Sequence, residues 1–113
     1  MGKTLRTIPA LALAALFAAA AFAQPATTRI VVGGPAGGNT DVAARLVSEK
    51  LAALLGQPVV IENRPGAGGT LAQDAVRGAK PDGSVIAPVS ASNAANETLM
   101  KNKPTSLVND LEP

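Results

Sequence analysis

The 113-residue chain has no cysteine, histidine, tryptophan or tyrosine, and only two phenylalanines, Phe17 and Phe22. Each absence removes a class of function. Without cysteine there is no disulfide scaffold, no thiolate metal site and no lipid-anchored N-terminal Cys. Without histidine, zinc loses a common ligand and catalysis its commonest general base. Neither a metal nor a cofactor is expected.

Both phenylalanines lie in the first 23 residues. There Lys3 and Arg6 precede an apolar run, Ile8 to Phe22, that closes on Ala21-Phe22-Ala23. A positive start, an apolar middle and a small-x-small end make a secretory signal peptide over residues 1–23, with cleavage expected before Gln24. The apolar run, broken by Pro9, is short of the roughly 20 residues that span a bilayer. Removing the leader takes Lys3 and Arg6 from the ten basic residues, leaving eight against eight acidic ones. The mature chain, 24–113, is then neutral and without aromatics. It has neither the basic field nor the stacking platforms of a nucleic-acid binder. Its core must come from Val, Ile, Leu and Ala, which bury less area each than aromatics. Ninety residues suffice for one small domain with a thin core.

What is present is a repeating order of elements. Arg29-Ile30-Val31-Val32 reads as a buried strand, followed by the loop Gly33-Gly34-Pro35-Ala36-Gly37-Gly38-Asn39. Thr40 and Asp41 are N-cap candidates for a helix. Its expected apolar face holds Ala43, Leu46, Val47, Leu51, Leu54 and Leu55. Gly56 and Pro58 are stop signals. A second strand, Val59-Val60-Ile61, leads into the loop Asn63-Arg64-Pro65-Gly66-Ala67-Gly68-Gly69. Thr70-Leu71-Ala72-Gln73 matches a capping box and predicts a second helix to about Arg77. After the turn Pro81-Asp82-Gly83, Val85 to Val89 reads as a third strand. Pro88 argues against full pairing on both sides there. Ser90-Ala91-Ser92-Asn93 forms the next loop, a short helix is expected over Ala94 to Lys101, and the tail from Thr105 lacks periodicity.

This βαβαβ order with continuous apolar strands predicts an α/β fold with a parallel sheet and helices on its faces. Ligands of such sheets sit beyond the carboxyl ends of the strands, where all three strand-to-helix loops lie. Glycines admit a ligand close to backbone, and a helix N-terminus presents unpaired N–H groups with partial positive charge. Gly37, Gly38, Asn39 and Thr40 therefore form one candidate anion cradle and Gly66 to Thr70 a second, the alternative being that these glycines only make tight turns.

Other readings are weaker. Gly66-Ala67-Gly68 opens a dinucleotide fingerprint, but Leu71 stands where its third glycine belongs and the next strand does not end on an acid. Arg64 could grip a carboxylate bidentately, or simply pair with Glu62 or Asp41. Asp41 reads as an N-cap and not as a catalytic acid. Ser90 and Ser92 lack a histidine to activate them, and no catalytic residue is identified. Asn96-Glu97-Thr98 matches a glycosylation triplet that arises often by chance.

Two long stretches carry a family resemblance. Ile30-Val31-Val32 with Gly33 through Arg45, and Leu54-Leu55-Gly56-Gln57-Pro58-Val59-Val60-Ile61-Glu62-Asn63-Arg64-Pro65-Gly66-Ala67-Gly68-Gly69, resemble Bug-type extracytoplasmic solute receptors. Lys80-Pro81-Asp82-Gly83 and Asp110-Leu111-Glu112-Pro113 fit as well. These are the binding proteins of tripartite tricarboxylate transporters. The resemblance implies a periplasmic receptor of two-lobed type II periplasmic-binding-protein fold that closes around a small carboxylate and serves membrane components of the transporter. By position it points to Gly37, Gly38, Asn39 and Thr40 and to Ala67, Gly68 and Gly69 as ligand contacts, with Ser90 and Ser92 added by loop position only. Two residues depart from the family pattern: Gly34 stands where an aromatic is usual, and Met100 near a frequent Tyr. The chain stops at Pro113, so the resemblance implies the first part of lobe one alone, either as a piece of a receptor or as a truncated remnant that binds nothing.

Overall fold

The computed structural model describes residues 26–111; the expected signal peptide and its cleavage point lie outside them. Three strands alternate with helices: β1 (Thr28–Val32), α1 (Asn39–Leu55), β2 (Val59–Asn63), α2 (Thr70–Arg77), β3 (Val85–Ile86) and α3 (Ala91–Leu99). A 3₁₀ turn, Ala67–Gly69, leads directly into α2. The sheet is parallel with order β2-β1-β3, Ile30 opposing Ile61 on one side and Ile86 on the other. This is the expected α/β arrangement. Because the chain steps from β1 one way to β2 and then back across β1 to β3, right-handed crossovers place α1 and α2 on opposite faces.

Strand alternation then divides the core. Ile30 and Val32 pack with Ala44 of α1, joined by half-buried Leu51, Val59 and Ile61. Val31, facing the other way, is fully buried, as is nearly all of Ala72 in α2. Each fully buried Val or Ile contributes about 1.5–3 kcal/mol.

The buried stripe of α1 differs from the expected one. Asp41 and Ala44 are its buried residues, and Leu51 extends the same stripe towards the sheet. Leu46, Val47 and Leu54 of the expected face are 72, 57 and 85% exposed. The helix is apolar around most of its circumference, so hydrophobicity alone did not mark the contact side. Small Ala44 lets the helix approach the sheet, and Asp41 can be buried because its carboxylate is fully hydrogen-bonded.

Helix starts also shift. α1 begins at Asn39 with Gly38 as N-cap, and α2 at Thr70 with Gly69 as N-cap. Asp41 and Thr70 therefore lie inside their helices, and the Thr70 hydroxyl bonds back to Ala67 O at 2.8 Å in place of a capping box. α3 starts three residues earlier than expected because Ser90 caps it. β3 is only two residues long; Pro88 has no N–H with which to continue the ladder. Gly56 does close α1 in the left-handed conformation (φ 64°), donating to Ala52 O at 3.0 Å. The tail folds back without regular structure. Glu97 pins it by accepting from Lys103 Nζ (2.8 Å), Ser106 Oγ (2.6 Å) and Leu107 N (3.0 Å), and the buried Thr105 hydroxyl bonds Asp74.

Candidate functional site

Three strand-to-helix turns meet at the carboxyl edge of the sheet. The first, residues 33–38, is built around Asp41. Its Oδ2 accepts from Gly37 N at 2.8 Å and Arg45 Nε at 2.9 Å, and its Oδ1 from Asn63 Nδ2 at 2.9 Å. Asn63 Nδ2 also reaches Gly34 O at 3.3 Å. The Arg45 guanidinium, then the Gly37 N–H and the Asn63 amide, hold this carboxyl well below the usual carboxylate range. Asp41 is thus ionised and satisfied from inside the fold, a brace for the turn with no proton to trade.

The second turn carries four successive positive φ angles, Gly66 (133°), Ala67 (47°), Gly68 (64°) and Gly69 (90°). Gly69 N closes it onto Gly66 O at 2.9 Å. The first two turns touch backbone to backbone: a Cβ on Gly33 would lie 2.8 Å from Gly69 Cα. The third turn brings Ser90 and Ser92, whose hydroxyls are 2.8 Å apart, and Asn93 at the start of α3.

A small cavity of about 120 Å³ opens where they converge, lined by Gly33, Gly34, Thr40, Gly69, Pro88, Ser90, Ser92 and Asn93. That is about the liquid volume of four waters, the scale of a carboxylate group with its bridging water. The first-turn N–H groups of α1, Asn39 to Asp41, have no acceptor within the helix, so one side of the cavity adjoins a positive helix end.

Of the nine sequence candidates, Thr40, Gly69, Ser90 and Ser92 line this cavity. Gly37, Gly38, Asn39, Ala67 and Gly68 are not among its lining residues. Gly37 is tied to Asp41, Gly38 donates to Pro35 O at 3.1 Å, and the Gly68 carbonyl is taken by Asn93 and Asn96. Gly33, Gly34, Pro88 and Asn93 also line the cavity; in the sequence Gly33, Gly34 and Asn93 belong to the first and third loops, Gly34 standing where the family usually has an aromatic, and Pro88 falls in the expected third strand. Arg64 turns to Glu62 (Nε to Oε1, 2.6 Å) and lines no part of the cavity. The Asn96 amide is engaged with Gly68 O at 3.1 Å.

A larger cavity, about 830 Å³, runs along the outer side of β3 between α2 and the tail, lined largely by apolar residues including Ala72, Val76, Val85 and Leu107. Gln73, 5% exposed, contributes an amide nitrogen without a hydrogen-bond partner there. Its greasy lining suits packing more than recognition of an ion.

The sequence pattern of the tripartite tricarboxylate transporter family receptor matches residues 43–113. The chain belongs to this receptor family. A UPF0065 protein of Bordetella bronchiseptica is 43% identical over 115 residues, covering the whole of this chain and 34% of its own length. Protein BugT of Bordetella pertussis is 40% identical over 75% of the chain and 27% of its own. Among solved structures, MatC of Rhodopseudomonas palustris with bound malate superposes with a TM-score of 0.68 at 39% identity, over 80% of this chain and 31% of that one. The periplasmic binding protein BugD gives 0.52 at 44% identity, over 54% and 20%. The Bug-type resemblance in the glycine loops and the partial periplasmic-binding-protein lobe are therefore correct. The chain spans about a third or less of the length of the curated relatives it matches. The matched family is one of transporter receptors and BugD is a periplasmic binding protein, which leaves the dinucleotide reading without support.

Proposed function

We propose that this tripartite tricarboxylate transporter family receptor is exported to the periplasm, loses residues 1–23, and captures a small carboxylate for a tripartite uptake system, passing it to membrane components. Residues 24–113 form part of the N-terminal lobe and provide one wall of the binding site. The observation that carries this is the convergence of three strand-to-helix turns on one small polar cavity beside the N-terminus of α1. An anionic carboxylate placed there can accept from the Thr40 hydroxyl, the Ser90 hydroxyl being donated to Asn93, and lies beside a favourable helix end without needing a buried cation. Malate in the related MatC supports the ligand class. The same turns have no activated nucleophile or free acid, in keeping with binding and not catalysis.

A second reading is that the product is a truncated remnant that binds nothing; a cavity of about 120 Å³ is small beside the roughly 300–1,000 Å³ of ligand pockets, which favours it over a self-sufficient half-site. One experiment separates the two. The reading frame is followed past the codon for Pro113, and its complete product is titrated calorimetrically with malate, citrate and glutamate. Saturable micromolar binding is expected of a frame that continues to the length of the relatives. A continuous frame whose product takes none of these acids contradicts the receptor reading, whereas an immediate stop with no binding supports the remnant.

A further inference from the structure

Asn93 is 5% exposed, yet every polar atom of its amide is used across a chain reversal. Its Nδ2 donates to Gly68 O at 3.0 Å, in the second turn. Its Oδ1 accepts from Ser90 N at 3.0 Å and Ser90 Oγ at 2.7 Å, in the third. The two elements it joins are 25 residues apart, and it lines the small cavity between them. The fit is mutual: a Cβ on Gly69 would sit 2.4 Å from Asn93 Nδ2. Only a short amide offers a donor and an acceptor on one carbon; aspartate keeps the acceptor and loses the donor.

We infer that Asn93 is the positioning residue of the cavity, its amide holding the left-handed glycine turn against the Ser90 turn so that Gly69, Ser90 and Ser92 keep one geometry. This rests on the carboxylate-receptor reading for its purpose, but the positioning is measurable without any ligand. A second donor to the same carbonyl, Asn96 Nδ2 at 3.1 Å, comes from a more exposed residue and makes no bond to Ser90.

The test uses amide hydrogen exchange on the full chain and the variants Asn93→Ala, Asn93→Asp and Asn96→Ala. Exchange at Gly69, whose N–H bonds Gly66 O, should speed up about tenfold or more in both Asn93 variants, the effect of losing one buried hydrogen bond. In Asn93→Asp the start of α3 should stay protected, because the acceptor for Ser90 survives. Asn96→Ala should change Gly69 less than either. The strand amides of Ile30 and Val31 should be unaffected in Asn93→Asp, which a merely structural loss would not spare. Unchanged exchange at Gly69, or equal acceleration throughout the sheet in both Asn93 variants, overturns the inference. Titration with malate followed by amide shifts separates the two claims. If the wild type responds, Asn93→Ala should weaken the affinity about tenfold, and equal affinity overturns the positioning role. Silence of the complete product of a continuing frame towards malate, citrate and glutamate counts against the carboxylate reading, while the exchange data still decide Asn93.

Discussion

Asn63, the last residue of β2, donates its side-chain amide to Asp41 in the first turn of α1, Nδ2 to Oδ1 2.9 Å. The bond ties two strand-to-helix turns to one carboxylate and explains how an acid can be buried against the sheet. With Arg45 and Gly37 on its other oxygen, Asp41 fixes where the first turn ends and the helix begins.

That arrangement predicts an acid-sensitive fold. The folded Asp41 carboxyl is depressed by Arg45, Gly37 and Asn63, and Lys103, Ser106 and Leu107 lower Glu97 to about 2. A depressed acid binds fewer protons folded than unfolded. Its contribution is therefore complete above the unfolded value of about 4 and is lost as pH falls through the folded one. Urea midpoints should be flat down to about pH 5 and fall steadily towards pH 2. Asp41→Asn should start lower and fall less steeply. A wild-type midpoint unchanged at about pH 2 would refute this account.

The contact between the first two turns predicts opposite outcomes at adjacent glycines. A Cβ at Gly33 meets Gly69 Cα at 2.8 Å, whereas a Cβ at Gly34 meets nothing within 4 Å. Gly33→Ala must push two backbones apart and should cost about 1–3 kcal/mol. Gly34→Ala should stay within about 0.5 kcal/mol. Equal midpoints for the two variants in urea would mean that the turns do not touch in solution.

Arg64 is the tempting cation of the second loop, and its geometry predicts little from removing it. Glu62 engages it at 2.6 Å and also faces Arg29 at 3.4 Å, all three side chains being substantially exposed. Such a surface pair is worth about 0–1 kcal/mol. Arg64→Ala should leave carboxylate affinity within about twofold, the equivalent of a few tenths of a kcal/mol. A tenfold loss would place its guanidinium on the ligand.

The order of elements, the parallel sheet and the gathering of three strand-to-helix turns at its carboxyl edge were legible because each rests on local signals: apolar strand runs, glycine turns and the Gly56 stop. What stayed hidden depends on contacts between distant residues. Nothing near Asn93 announces a bond to Gly68, and nothing near Asp41 announces Asn63. In the sequence both turns are candidate cradles or merely tight turns, and the structure shows Gly37, Gly38 and Gly68 spending backbone groups on Asp41, on Pro35, and on Asn93 with Asn96. In α1, apolar residues on nearly every side left periodicity with no contrast to detect, and a buried aspartate lay where a polar residue would be counted as surface.

That ambiguity of α1 is itself testable. Val31 is fully buried in β1, and Leu54 is 85% exposed on the outer side of α1. Val31→Ala removes two buried methyl-sized groups and leaves a void, so it should cost about 2 kcal/mol. Leu54→Ala should change stability by less than about 0.5 kcal/mol, with the urea slope unaltered in both. The comparison discriminates because Leu54→Ala removes more apolar volume than Val31→Ala, so a smaller penalty at Leu54 can come only from its exposure and not from its size. A Leu54 penalty as large as that of Val31 would show that the ridge of Leu46, Val47 and Leu54 is buried in solution. In that case a midpoint that rises with protein concentration would assign the cover to association between chains, and a constant midpoint would assign it to other residues of the same polypeptide.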